Sequence, residues 1–94
     1  MTVIRYRAKP VEVTGLVFTG DNHEELKAFC GTYRDAFGDT QSAYDWPLDI
    51  GVRVWNYRRC EWRLVSPGQI VLRGVFGELT PMNPNDMVLY EEIR

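Results

Sequence analysis

The sequence is poor in the residues from which catalytic and metal sites are commonly built. It contains two cysteines and one histidine in 94 residues, whereas a structural zinc site needs about four convergent Cys, His or carboxylate ligands. No glycine-rich phosphate-binding loop of the G-x-x-x-x-G-K-[ST] type is present. His23 falls at the start of a predicted helix, where we expect a solvated side chain. The sequence therefore predicts neither a metal site nor a catalytic site.

Long apolar runs and a large excess of one charge are also missing. No run approaches the roughly 18 to 20 apolar residues of a membrane-spanning helix, and the N-terminus has no signal-peptide pattern. Cys30 and Cys60 are expected to be small, partly buried residues with free thiols, as in a reducing cytoplasm. Eleven basic and thirteen acidic residues give a net charge of −2, which argues against the basic surface that long nucleic acids require. We therefore expect a cytoplasmic protein that binds neither membranes nor long DNA or RNA.

The composition that remains is typical of a small folded domain. Hydrophobic residues make up 45% and aromatic residues 13% of the chain. We expect residues 1–94 to form a single domain with a modest core, because a chain of this length buries only about 60 to 65% of its unfolded surface. Symmetric association would cover more apolar surface, so a homo-oligomer is expected.

Short periodic segments predict an α+β fold with a small, mainly antiparallel sheet of about five to six strands. Alternating valines predict a first strand over residues 9–18. One short helix is predicted near residues 22–30, because capping and acidic residues precede an apolar face containing Leu26 and Phe29. Gly31 is a natural end for this helix.

The C-terminal half is dominated by strand patterns. Two alternating runs within 52–65 predict a hairpin whose loop is Arg59 and Cys60, although neither residue favours the positive φ of a tight turn. The segment 70–80 predicts one strand, bulged at its central glycine. Residues 87–93 predict a final strand.

Residues 32–51 show no clear period. Unstructured connections of this length are uncommon inside compact domains, and they are usually binding loops or disordered segments. Scattered aromatic residues in this segment argue for partial order. Short paired strands are the alternative that the sequence leaves open.

The predicted hairpin places aromatic residues on one face, near a group of arginines. In the expected register Tyr57 faces Trp62, and Trp55 lies on the same face. These flat rings could stack on a purine, and Arg63 or Arg73 could bind a phosphate through its guanidinium group. The same aromatic residues would also suit the core of the sheet, and the arginines would suit a solvated strand face. Both alternatives remain open at the level of the sequence.

Two segments carry a family resemblance: YRAKPVEVTGLVFTGDNHEELKAF at 6–29 and SPGQIVLRGVFGELTPMNPNDMVLYEE at 66–92. They resemble a widespread family of small phage proteins. Its members begin with a Tyr-Arg-x-Lys-Pro-Val strand and end with Pro-Gly-Asp, Arg-Gly-Val-x-Gly-Glu and a terminal Tyr-Glu. This chain departs from the pattern at Gln69, where the family often has Asp, and through 79–87, while residues 32–58 match little.

That family is similar to the viral nucleotide sponges, non-catalytic oligomers that sequester cyclic-nucleotide signals of bacterial antiviral defence such as CBASS. The resemblance implies a phage-encoded homo-oligomer in the host bacterial cytoplasm that captures a cyclic di- or oligonucleotide without a cofactor. The candidate ligand-binding residues are Lys9, Trp55, Tyr57, Trp62, Arg63 and Arg73. The alternative is a phage interaction or minor structural protein that binds a host or virion protein through the same aromatic surface. An enzyme that degrades the signal is the third possibility.

Overall fold

The computed structural model describes Ile4, residues 13–46 and residues 51–89. Within these residues the chain forms short strands, one α-helix and one 3₁₀ helix. The elements are β1 (Thr14–Val17), α1 (His23–Cys30), β2 (Thr32–Arg34), β3 (Thr40–Ser42), β4 (Tyr44–Asp45), β5 (Val52–Asn56), β6 (Glu61–Val65), β7 (Ile70–Arg73), β8 (Leu79–Met82) and the 3₁₀ helix (Pro84–Leu89). The α+β class and the short helix expected near residues 22–30 are confirmed. Neither helix of the described part has the length and apolar character needed to span a bilayer.

The strands form three antiparallel sheets. β7 lies between β1 and β8, β5 lies between β4 and β6, and β2 pairs with β3. The described residues thus contain more strands than the sequence predicts, partly because β2, β3 and β4 form within a segment with no clear period. This pairing confirms the short-strand alternative for that segment. Residues 47–50 lie outside the described residues.

Helix α1 has clear local determinants. Asn22 precedes it and joins it to β1: its side-chain amide donates to the Val17 carbonyl at 2.8 Å. Acidic residues occupy the first turn, where they interact favourably with the helix dipole. Leu26 and Cys30 are the buried residues of the helix. Gly31 ends it with φ 69°, and its N–H donates to the Lys27 carbonyl at 3.1 Å.

The core lies where the helix meets the two larger sheets. Its most fully buried large side chains are Leu26 from α1, Val54 from β5, Val71 from β7 and Leu79 from β8. Because these residues come from four different elements, the core joins parts of the chain that are far apart in sequence. β8 packs near β5 and β6, which brings the two three-stranded sheets together.

Asn56 forms the main polar connection between these sheets, and it is the one buried polar side chain among the described residues. Its amide donates to the Leu79 carbonyl of β8 at 2.8 Å. Its Oδ1 accepts the backbone N–H groups of Arg58 and Arg59, both at 3.1 Å. One side chain therefore fixes the turn after β5 and also fastens that turn to β8.

The register of the β5–β6 hairpin differs from the expected one. Trp55 pairs with Trp62, so the loop is the four-residue turn 57–60 rather than Arg59 and Cys60 alone. The bonds from Asn56 stabilise this wider turn, and Cys60 closes it with φ 51°. The predicted division of the two faces is confirmed for β5, because Val52, Val54 and Asn56 are buried on one side. The predicted pairing of Tyr57 with Trp62 is wrong.

The segment 70–80 is a hairpin rather than one bulged strand. β7 pairs with β8 in an antiparallel ladder, and the chain reverses over residues 74–78. The Gly74 N–H donates to the Glu78 carbonyl at 2.8 Å, and Gly77 adopts φ 83° in the turn. The two glycines thus allow the chain to reverse its direction between β7 and β8. The close approach expected at Gly74 is present, because a Cβ there would overlap the Glu78 carboxylate.

The C-terminal end of the predicted strand order also changes. Residues 84–89 form a 3₁₀ helix, where the sequence pattern suggested the start of a final strand. Pro84 suits the first position of a helix, because it has no N–H to satisfy there. Residues 90–93 of that predicted strand and residues 9–12 of the first predicted strand lie outside the described residues.

Candidate functional site

Three aromatic rings from three strands form the main half-buried cluster outside the core. The rings of Trp55 and Trp62 lie opposite each other on β5 and β6, with centroids 5.4 Å apart and an interplanar angle of 65°. Tyr33 of β2 stacks on Trp55 at 4.8 Å and 19°. Tyr33 and Trp55 also pack against the core, so the core supports the cluster on one side. Together with Arg53, these residues are called the aromatic surface.

Arg53 adds a positive charge to the aromatic surface. Its guanidinium carbon lies 4.6 Å from the ring centroid of Trp62, within the range of a cation–π interaction. Its Nε and Nη2 atoms lie 2.8 and 2.7 Å from Asp45 Oδ2. The remaining N–H groups of this guanidinium have no hydrogen-bond partner among residues 13–46 and 51–89. Arg53 is therefore held in place while it keeps donors for an anion.

The alternation of β5 explains why these side chains share a face. Val52, Val54 and Asn56 are buried, so Arg53 and Trp55 point to the other side of the strand. The Trp55 N–H donates to the Ala43 carbonyl at 2.9 Å, which fixes β5 beside the chain that leads from the β2–β3 hairpin. This neighbouring segment brings Tyr33 against the tryptophans.

The structure brings Trp55 and Trp62 together, but it places other sequence-predicted residues elsewhere. Tyr57 lies in the turn, where its hydroxyl donates to the Phe76 carbonyl. Arg63 projects from β6 on the side opposite Trp62, as expected from the strand period. Its Nη1 lies 3.5 Å from Glu61 Oε1, and both of these side chains remain substantially exposed.

Arg73 is also outside the aromatic surface. Its guanidinium carbon lies 4.8 Å from the ring centroid of Phe29 on α1, so this arginine packs against the helix. Lys9 lies outside the described residues. The sequence pattern missed Arg53 and Tyr33 as partners of the tryptophans. The period of β5 alone could have indicated Arg53, whereas the position of Tyr33 depends on long-range contacts.

The two cysteines occupy contrasting environments. Cys30 is buried in the core, as expected, whereas Cys60 is exposed at the end of the β5–β6 turn. Burial raises the pKa of the Cys30 thiol to about 12, against the opposing effect of the positive charge of Arg73. Since the thiolate is the reactive form, this thiol is inert at neutral pH.

A thiol-reactive reagent at pH 8 is expected to label one cysteine of the native protein. Cys60 should react rapidly because it is exposed, and Cys30 should react only after unfolding, since its thiolate fraction is on the order of one in ten thousand at this pH. A Cys60→Ser variant should therefore remain unlabelled until denaturant is added. Rapid labelling of native Cys60→Ser would contradict the buried position of Cys30.

A second aromatic cluster surrounds the only histidine. His23 Nδ1 and Tyr44 Oη share a hydrogen bond of 2.6 Å, and the Trp46 ring stacks on the imidazole at 3.8 Å and 14°. The expectation of a solvated His23 is wrong, because the side chain is half-buried by these contacts. Burial, followed by the charges of Cys30 and Asp45, raises the pKa of Tyr44. The cluster fastens the start of α1 to β4.

Two concavities on the described surface have no lining residue in common with the aromatic surface. One of about 300 Å³ is lined by Val13, Leu72, Gly74, Val75, Glu78, Thr80 and Met82. Another, of about 380 Å³, is lined by Glu24, Lys27, Ala28, Gly31, Thr32 and Ser42. Neither combines an arginine with an aromatic ring. The side chains of the aromatic surface are each half-buried.

Metal chemistry finds no support in the described residues. They contain no group of three or more His, Cys, Asp or Glu side chains placed to hold a metal ion. The strongest arrangement for recognition is instead a cation beside flat rings. No protein-family model, curated protein or solved structure matches the chain.

Proposed function

We propose that this is a phage-encoded, non-catalytic protein that sequesters cyclic-nucleotide immune signals in the host bacterial cytoplasm. The observation that supports this proposal is the aromatic surface, in which the guanidinium group of Arg53 lies against Trp62 beside Trp55. The sequence resemblance to phage proteins similar to nucleotide sponges points the same way. Sequestration needs groups that bind rather than groups that react.

The chemistry of the aromatic surface suits a base joined to a phosphate. A flat indole offers stacking to any nucleobase, and each base–aromatic stack contributes about 1–3 kcal/mol to binding. The donors of Arg53 that Asp45 does not use could form charge-assisted hydrogen bonds to a phosphate. A cyclic di- or oligonucleotide presents both groups, with more than one base to stack.

The proposal also implies a second copy of the chain at the aromatic surface. A half-buried platform on one copy would bind a nucleotide on one side only, so a tight sponge needs a second surface to cover the ligand. A homo-oligomer would supply that surface from another copy of the chain. Arg73 lies off the platform of one copy and remains a candidate for a contact that a second copy completes, whereas Arg63 lies on the opposite face of β6 from the platform.

Thermal unfolding against a panel of cyclic di- and trinucleotides tests the proposal. A ligand that binds only the native state stabilises it by RT ln(1 + [L]/Kd), about 2.7 kcal/mol at a hundredfold excess over Kd. We expect a clear rise in Tm with at least one panel member, and chromatography should recover that ligand unchanged. Recovery of an altered ligand would indicate an enzyme, and the absence of any shift would contradict the nucleotide proposal.

A second candidate function is binding to a host or virion protein. The observation that favours it is the tip formed by the turns of the β5–β6 and β7–β8 hairpins. Val75 and Phe76 are 62% and 65% exposed there, and the Arg58 guanidinium carbon lies 4.5 Å from the Phe76 ring centroid. Exposed aromatic and arginine side chains are common anchors of protein interfaces. Loss of partner capture in Phe76→Ser, with nucleotide binding absent from the wild type, would support this candidate.

A further inference from the structure

β6 forms an open edge of its sheet. Among the residues that the structure describes, β6 is hydrogen-bonded to a strand on one side only, where it pairs with β5. Trp62 is half-buried, and Leu64 on the same face is 59% exposed. An open edge with apolar side chains is a template for pairing with another strand.

The hydrogen bonds of β5 show which backbone groups of β6 point outward. The Trp55 N–H donates to the Ala43 carbonyl at 2.9 Å, away from β6. Because Trp55 and Trp62 are directly opposite, they form a pair without mutual hydrogen bonds, and the N–H and C=O of Trp62 point to the open edge. The alternation of a strand then directs the backbone groups of Glu61 and Arg63 inward, towards β5.

We propose that β6 pairs antiparallel with β6 of a second copy, with the twofold axis at Trp62. In this register the outward N–H and C=O groups of Trp62 are exchanged between the two copies. Glu61 of each copy lies directly opposite Arg63 of the other, and opposite charges in this position stabilise a strand pair. Within one copy these two side chains form only a loose pair at 3.5 Å, so they remain available to the second copy.

Charge selects this register over its neighbours. The N–H and C=O groups that point to the open edge occur at every second residue of β6. The two β6 strands can therefore shift past each other only by two residues at a time, and each such shift moves the twofold axis by one residue along the strand. An axis at Glu61 would place two glutamates opposite each other, and an axis at Arg63 would do the same with two arginines. Both alternatives juxtapose like charges, which destabilises a strand pair. Of the axes at Glu61, Trp62 and Arg63, only the one at Trp62 avoids this repulsion. An axis at Leu64 brings no like charges together, but it places Arg63 opposite Val65 and so forms no charge pair.

This pairing would extend the aromatic surface. A twofold axis perpendicular to the sheet keeps the same face outward in both copies, so Trp62 of each copy lies beside Trp62 of the other. Two aromatic surfaces then form one continuous platform across the axis. The inference rests on backbone direction and charge, and it does not depend on the identity of any ligand.

Sedimentation equilibrium of the ligand-free protein tests this pairing. We expect a dimer of twice the 10.9 kDa of one chain. Arg63→Glu places the new carboxylate opposite Glu61 of the second copy, and it should weaken dimerisation by roughly 10- to 100-fold, because two favourable charge pairs become unfavourable. Lys27→Glu makes the same change of charge at an exposed position of α1, which is not part of this sheet, and should leave the dimer intact.

The charge-swapped variant, Glu61→Arg combined with Arg63→Glu, separates pairing from folding. It restores opposite charges across the proposed axis, so its dimerisation should return to within a fewfold of the wild type. A monomeric wild type would overturn the proposal, as would a swapped variant that stays as weak as Arg63→Glu. Because no nucleotide is present, these outcomes are independent of whether the protein binds a cyclic nucleotide.

Discussion

Replacing Asn56 with aspartate is expected to lower the free energy of unfolding by about 2–4 kcal/mol. The substitution removes the amide that donates to the Leu79 carbonyl and places a carboxylate against that oxygen in a buried position. Loss of one partner of a buried hydrogen bond costs about 1–3 kcal/mol, and burial of a charge adds to this cost. Urea denaturation followed by circular dichroism would measure the change.

Asn83→Asp is the matched control for this variant. Asn83 is exposed, and its Oδ1 accepts a hydrogen bond from the Gln69 side chain at 3.1 Å, which a carboxylate can also accept. Its effect should stay within about 0.5 kcal/mol. An equally small effect of Asn56→Asp would show that Asn56 does not connect the β5–β6 turn to β8.

Replacing Trp62 with alanine is expected to weaken cyclic-nucleotide binding by roughly tenfold to a hundredfold. The substitution removes the flat ring on which a base would stack, an interaction that contributes about 1–3 kcal/mol, and 1.4 kcal/mol corresponds to a factor of ten in Kd. It also removes the ring that holds Arg53 in position through the cation–π contact. Isothermal titration calorimetry with the ligand identified by thermal unfolding would measure this loss.

Two further variants distinguish a binding role of Trp62 from a structural one. Trp62→Phe keeps a flat ring and should recover most of the affinity. Trp46→Ala removes a tryptophan that stacks on His23 and makes no ring contact with the aromatic surface, and it should bind as tightly as the wild type. Equal affinity in Trp62→Ala and the wild type would remove Trp62 from the binding site.

Local signals in the sequence account for the elements that were predicted correctly. Acidic first-turn residues and a terminal glycine act within a few positions and favour α1 locally. The predicted side-chain cap is absent, because the Asn22 amide donates to the Val17 carbonyl and makes no capping bond to the helix. The buried side of β5 likewise follows from strict alternation. Elements defined by such short-range patterns are the ones that a single sequence specifies best.

The errors arise where a side chain or a distant strand decides the structure. The register of the β5–β6 hairpin depends on Asn56, whose Oδ1 binds two N–H groups of the turn and favours a loop longer than two residues. The sequence predicts one strand over 70–80, where the structure has a hairpin, because Gly74 and Gly77 are compatible with either a bulge or a turn. Pairing with the neighbouring strands, which a single sequence does not reveal, decides between these alternatives.

The candidate site likewise combines a feature that the sequence predicts with one that it does not. Trp55 and Trp62 share a face because each strand alternates, and this could be predicted from the sequence. Arg53 replaces Arg63 and Arg73 as the cation beside the rings, since Arg63 points to the other face of β6 and Arg73 packs on Phe29. The cation that contacts a given ring on a neighbouring strand can be identified only when the register of the two strands is known.

The most direct test of the proposed site is a titration followed by the tryptophan indole N–H signals in a two-dimensional ¹H–¹⁵N NMR spectrum. The chain has three tryptophans, and single Trp→Phe variants would assign their signals. On addition of a cyclic nucleotide that raises the Tm, the signals of Trp55 and Trp62 should shift in a saturable manner, while that of Trp46 stays in place. Shifts confined to Trp46, or saturable binding with all three signals unchanged, would contradict a nucleotide site on the aromatic surface.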